Sequence, residues 1–169
     1  MPKIVAVVGG KHSGKTTVVE HLVAELKLRG FRVGVVKEMV RIPTLDTPAT
    51  ETDRYAKAGA EVIAAVPREE TVIFIKKRLA VDEILSHLGV VDFVVLEGFE
   101  NEHSLQKIVA AKTADEARSF IDISVIGVSG LILESADERK KAEEFRLPIF
   151  SSLTEATKLA DLVQHLDVR

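Results

Sequence analysis

The residues best suited to chemistry lie near the N-terminus, in Gly9-Gly10-Lys11-His12-Ser13-Gly14-Lys15-Thr16. They satisfy G-x-x-x-x-G-K-[S/T] at every fixed position. Glycines at both ends let a backbone wrap closely around phosphate oxygens. Amides from Ser13 to Thr17, opening a helix, would point at the anion and add the positive potential of a helix start. Lys15 supplies a point charge for the β and γ phosphates, and the Thr16 hydroxyl is a hard oxygen ligand suited to magnesium. The pattern predicts a purine nucleoside triphosphate site built from Gly9, Gly10, His12, Ser13, Gly14, Lys15, Thr16 and Thr17. His12, at the tip, either touches phosphate or stands exposed.

A magnesium site needs a nearby acid. Asp92-Phe93-Val94-Val95-Leu96-Glu97-Gly98-Phe99 reads as a buried strand ending in an acid and a glycine. Ligands of open α/β sheets gather at the carboxyl ends of strands, which puts Glu97 in place and Asp92 at the far edge. The other reading of Glu97 is a surface residue closing a strand. Lys37 and Glu38 follow another strand at the same edge. Lys37 stands there either beside a phosphate or as a solvated charge. Asp46, Asp53 and Arg54 lie on or beside a long polar loop, where switch elements sit in phosphate-hydrolysing proteins.

These residues need elements to position them. Ile4 to Val8 is a β-branched run of the kind buried on both faces. A helix is predicted from Lys15 to Arg29, with Val18, Val19, Leu22, Val23 and Leu26 at helical spacing and Gly30 beyond its end. Val33 to Val36 returns as a strand, which makes a parallel βαβ unit. Arg41 to Asp53 carries Pro43 and Pro48 and has no period. A short helix over Thr52–Ala58 follows, then two strands, Glu61–Val66 and Thr71–Ile75, joined by a turn. Val81–Leu88 is helical. Lys107–Ala111 and Ile121–Val128 read as strands. Thr113 with Glu116, Ser135 with Glu138 and Ser152 with Glu155 mark helix starts. Pro148 marks a short or edge strand. The hairpin over 61–75 is apolar at nearly every position, so it either extends the sheet of one molecule or is covered by a second copy.

Composition bounds the answer. The chain has 169 residues, 46% hydrophobic and 29% charged, which fits one domain over 1–169 with one core. The net charge is −3, and no apolar run is long enough to cross a bilayer, so neither a nucleic acid nor a membrane is expected as a partner. There is no cysteine, which excludes thiolate chemistry and fits a reducing cytoplasm. The five histidines show no metal-ligand spacing. Ala111-Lys112-Thr113-Ala114-Asp115 has the wrong spacing for N-K-x-D guanine recognition.

Four blocks together resemble the molybdopterin-guanine dinucleotide biosynthesis adapter protein family, MobB: Gly9–Thr17; Gly34-Val35-Val36-Lys37; Asp46-Thr47-Pro48 with Thr52-Asp53-Arg54 and Ala58-Gly59-Ala60; and Leu96-Glu97-Gly98-Phe99 with Lys107-Ile108. The chain departs from the family's pattern at Glu38, Ala49 and Glu100. The resemblance implies an α/β, P-loop NTPase-like fold, with a mostly parallel sheet flanked by helices and an added hairpin. It implies GTP and Mg2+ as ligands, weak GTPase activity, a homodimer, and a nucleotidyltransferase of molybdenum cofactor synthesis as partner. It places Thr16, Glu97 and Asp46 at the metal and Lys37 and Arg54 near phosphate. The alternatives are a small-molecule kinase, poorly supplied with lid arginines, and a GTP-dependent metal-insertion chaperone, for which cysteine and clustered histidine are missing.

Overall fold

The computed structural model describes residues 1–39 and 50–166. In chain order the elements are β1 (Lys3–Val8), α1 (Lys15–Leu28), β2 (Val33–Lys37), α2 (Glu51–Lys57), β3 (Val62–Ala65), β4 (Val72–Ile75), α3 (Val81–His87), β5 (Phe93–Glu97), β6 (Gln106–Ala110), α4 (Ala114–Arg118), β7 (Val125–Ser129), α5 (Ala136–Ala142) and α6 (Ala156–Gln164). They fall into two compact units, one of residues 1–38 and 90–169 and one of residues 39–89.

The first unit holds a five-stranded sheet in the order β2-β5-β1-β6-β7, every neighbouring pair parallel. Its centre is the apolar run expected: Val5, Ala6, Val7, Val94 and Val95 have no solvent exposure. The α1 stripe of Val18, Val19, Leu22 and Leu26 packs with β1, β5 and the Leu159 and Val163 side of α6 into one core. Helix α1 stops where the glycine signal placed it. Gly30 takes φ 85°, its N–H donates to the Lys27 carbonyl and the Phe31 N–H donates to Leu26. That pair of bonds satisfies two of the carbonyls left over at a helix end.

Several boundaries differ from expectation. The strand expected from Ile121 begins only at Val125. Asp122 first closes a turn, its carboxylate accepting from the Ser124 amide at 2.8 Å and from the Ser124 hydroxyl. Those bonds hold the Asp122 carboxyl below its usual range. Thr113 and Ser135 do cap α4 and α5, accepting from the Glu116 and Glu138 amides. Their glutamates do not reciprocate: Glu116 accepts from Lys112 N–H and Glu138 from Ala114 N–H. Ser152 caps nothing. Helix α6 starts at Ala156, and Glu155 instead accepts from the Ser151 amide at 3.1 Å. Pro148 sits where its missing N–H costs little, beside β7, in a single parallel bridge between Val128 and Ile149.

The second unit contains α2, α3 and the antiparallel pair β3–β4, registered Val62 to Ile75 and Ala65 to Val72. The hairpin forms a two-stranded sheet of its own and does not extend the five-stranded one. Among the described residues, no helix is long and apolar enough to cross a membrane.

Candidate functional site

The glycine-rich turn leaves β1 at its carboxyl end and enters α1, and Gly9 and Gly14 hold backbone conformations that favour glycine. Gly9 has φ 144°, and a Cβ there would lie 1.9 Å from the Ala110 carbonyl oxygen. Gly14 has φ 92° and opens α1. The loop rests on the ends of β6 and β7: the Leu131 N–H donates to the Ser13 carbonyl at 3.2 Å. A side chain on Gly130 would strike that same carbonyl oxygen at 2.5 Å. Ser13 is buried, and its Oγ makes no hydrogen bond among the described residues. His12 is exposed at the tip with φ 57°, a left-handed conformation uncommon outside glycine.

Lys15 folds over this loop, its Nζ donating to the carbonyls of Gly9 at 2.9 Å and Gly10 at 2.5 Å. One residue on, the Thr16 hydroxyl donates to Glu97 Oε1 at 3.0 Å. Lys37 Nζ reaches the same carboxylate oxygen at 2.8 Å and the Thr16 hydroxyl at 3.3 Å. Three groups from three parts of the sequence meet because of sheet register. Glu97 is paired across β5–β1 with Val7 and across β2–β5 with Lys37, so the strand ends lie level. The Glu97 side chain is 8% exposed and that of Lys37 is 46% exposed. Glu97 is therefore a buried, partnered acid and not an exposed residue closing a strand. Lys11, His12, Lys15, Thr16 and Glu97 line one open cleft of about 500 Å³.

Glu38 carries a role that residue type alone did not announce. Its carboxylate accepts the Phe99 N–H at 2.9 Å, and its own N–H donates to the Glu97 carbonyl at 2.9 Å. Phe99 has φ 60° and is buried, and a Cβ on Gly98 would press on Glu38 Cβ at 3.0 Å. Glu38 thus ties β2 to the turn immediately after the acid. Lys107 does similar work from the other side. Its ammonium, in a side chain 2% exposed, donates to the Glu100 carbonyl at 2.9 Å and pairs with Asp122 at 3.4 Å. Glu116 of α4 leans on the loop, with Oε1 where a Gly10 side chain would be.

Asp92 lies at the opposite end of β5, as expected, paired with Arg32 at 2.9 Å. The Arg32 guanidinium and backbone amide lower its carboxyl to about 2. Arg54 lies on α2 in the second unit. Asp46 lies outside the described residues. Among the described residues, no three carboxylates or histidines cluster as a metal site, so any cation here would draw on hydroxyl and ligand oxygens besides Glu97.

The family model for molybdopterin guanine dinucleotide synthesis protein B matches residues 4–129. A relative from Methanocaldococcus jannaschii, named as a molybdopterin-guanine dinucleotide biosynthesis adapter protein, is 33% identical over 118 residues, 67% of this chain and 49% of that protein. A protein of that name from Haemophilus influenzae is 28% identical over 103 residues, 59% of this chain and 58% of the other. The match thus spans only about half of either relative's length. The crystal structure of Bacillus subtilis MobB superposes with a TM-score of 0.76 at 24% identity, covering 100% of both chains. A MobB homologue from Bacillus stearothermophilus gives 0.67 at 23% identity, covering 96% of this chain and 98% of that one. These two structures show the shared fold.

Proposed function

The chain belongs to the molybdopterin guanine dinucleotide synthesis protein B family, and on that premise we propose that it binds GTP with Mg2+ and acts as an adapter in the assembly of that cofactor. The observation that carries the reading is the convergence of Thr16, Glu97 and Lys37 at the foot of the phosphate loop. Gly9 to Thr17 hold the phosphates, with Lys15 exchanging loop carbonyls for phosphate oxygens.

The donor set fits magnesium. Metal–oxygen distances of about 2.0–2.1 Å in an octahedron place neighbouring ligand oxygens about 2.9 Å apart. Thr16 Oγ1 and Glu97 Oε1 are 3.0 Å apart. When bound, the ion would neutralise charge building on the phosphates. Lys37 shares Glu97 Oε1 and stands ready to move its charge to a phosphate. Asp46 and Arg54 complete the proposed set.

Turnover should be slow. The only glutamines are Gln106 and Gln164, at the start of β6 and the end of α6, and neither is placed to orient water at the loop. This suits a protein that presents bound nucleotide to a nucleotidyltransferase partner. A homodimer in the cytoplasm, with the exposed hairpin covered by a second copy, completes the proposal.

The test is calorimetric titration with GTP, with and without Mg2+. Lys15→Ala should abolish binding while leaving the melting temperature close to wild type. Glu97→Ala should remove most of the magnesium dependence and spare magnesium-free binding. Equal GTP affinity in wild type and Lys15→Ala would overturn the reading.

A further inference from the structure

A second cleft, of about 290 Å³, opens beside the phosphate loop, and the two clefts share Gly14, Thr17 and Leu131 as a common wall. A nucleotide held by its phosphates in the first must direct its base somewhere. The second is the neighbouring recess at the carboxyl edge of the sheet, where ligands of α/β folds gather. Resting on the proposed function, we infer that this second cleft is the base subsite and that Glu134 reads guanine there.

The walls suit a planar heterocycle. Leu131 and Leu133 offer apolar faces from the turn after β7, and Glu134 closes that turn with an exposed carboxylate. The Glu134 carboxylate makes no hydrogen bond or ion pair among the described residues. The opposite wall is Ser151 to Thr154. That segment is braced: His21 Nδ1 of α1 bonds the Ser152 carbonyl at 2.9 Å, and the Ser129 hydroxyl donates to the Phe150 carbonyl at 2.7 Å. A recess with one acid and a fixed backbone wall is a site with a sense of direction.

The chemistry selects among bases. A carboxylate only accepts hydrogen bonds. Guanine presents two donors side by side, N1–H and the 2-amino group. Adenine presents a lone pair at N1 and a C–H at position 2, so its edge faces the carboxylate unfavourably. Xanthine keeps N1–H but carries a carbonyl at position 2, which a carboxylate repels and an amide would welcome. Sites built to hydrogen-bond a group reject analogues lacking it far more strongly than apolar pockets do.

The experiment titrates the whole protein with the magnesium complexes of GTP, ATP and xanthosine triphosphate. Wild type should prefer GTP. Glu134→Ala should lower GTP affinity by about tenfold to a hundredfold, the range for a lost bond to a charged group, and leave ATP affinity unchanged. Glu134→Gln should gain xanthosine triphosphate relative to GTP, which a merely structural role for Glu134 would not produce. Lys15→Ala should abolish binding of all three alike. Equal GTP and ATP affinity in wild type, or an unchanged ratio in Glu134→Ala, overturns the base assignment and leaves the phosphate site standing. Failure of wild type to bind any triphosphate overturns both.

Discussion

β5 and the hairpin β3–β4 are written in nearly the same alphabet, Phe-Val-Val-Leu-Glu against Val-Ile-Ala-Ala and Val-Ile-Phe-Ile, yet the molecule treats them differently. Every residue of β5 is buried between helices and neighbouring strands. In the second unit, Val62 is 59% exposed, Ile73 57% and Val66 75%, and among its described residues only Ile63 is buried. The difference is one of numbers of neighbours. Five strands with covering helices enclose a core, whereas a two-stranded hairpin has too few partners to hide both faces and is marginal by itself in water. Apolar composition reports that a surface wants covering and does not say by what.

The contrast can be broken or sharpened by experiment. The largest effect should come from Leu22→Ala, which empties a fully buried position in the core of the first unit. It should cost about 2–5 kcal/mol, read as a lower denaturant midpoint. The matching truncation Ile73→Ala should cost within about 0.5 kcal/mol in a dilute monomer. A large loss there would mean the hairpin is already covered within one chain.

A middle-sized effect is expected from Ile73→Asp. It should shift the protein from dimer to monomer in light scattering at micromolar concentration, with GTP affinity retained. A wild type that is cleanly monomeric would remove the second copy as the cover.

The smallest effect concerns Asp92→Asn, in the exposed pair with Arg32. The folded Asp92 carboxyl sits at about 2, below its usual value. A depressed carboxylate stabilises the fold at pH values above its unfolded pKa and loses that contribution as pH falls toward 2. The variant should melt slightly below wild type at neutral pH, and the two curves should converge by pH 2. The pair is open to solvent, so salt should shrink the gap as well.

Much of the first unit was legible because its signals are local. The G-x-x-x-x-G-K-[S/T] spacing, the β-branched runs and the Gly30 stop each depend on a few adjacent residues. Lys37 was not decidable that way, because its meeting with Glu97 depends on the register of β2 against β5. Glu38 looked like an acid out of place until its bond to the Phe99 amide gave it one. The late start of β7 and of α6 came from carboxylates, Asp122 and Glu155, that captured nearby backbone amides before regular structure began. Gly130 and Glu134 carried no recognisable motif. Their importance lies in the fold bringing the turn after β7 against Ser13 and Thr17.

β2 and β5 are neighbours in the sheet, yet residues 39–89 enter the chain between them. The second unit is therefore a cassette spliced into a crossover. Lengthening such a crossover adds closure entropy only logarithmically, by about 0.6 kcal/mol per doubling. Lys37 and Glu97 are held in line by the sheet ladder and not by the intervening chain. A change of length within residues 39–89 would leave the pairing of β2 with β5 in place. A protein engineer could use the same splice point to graft a reporter.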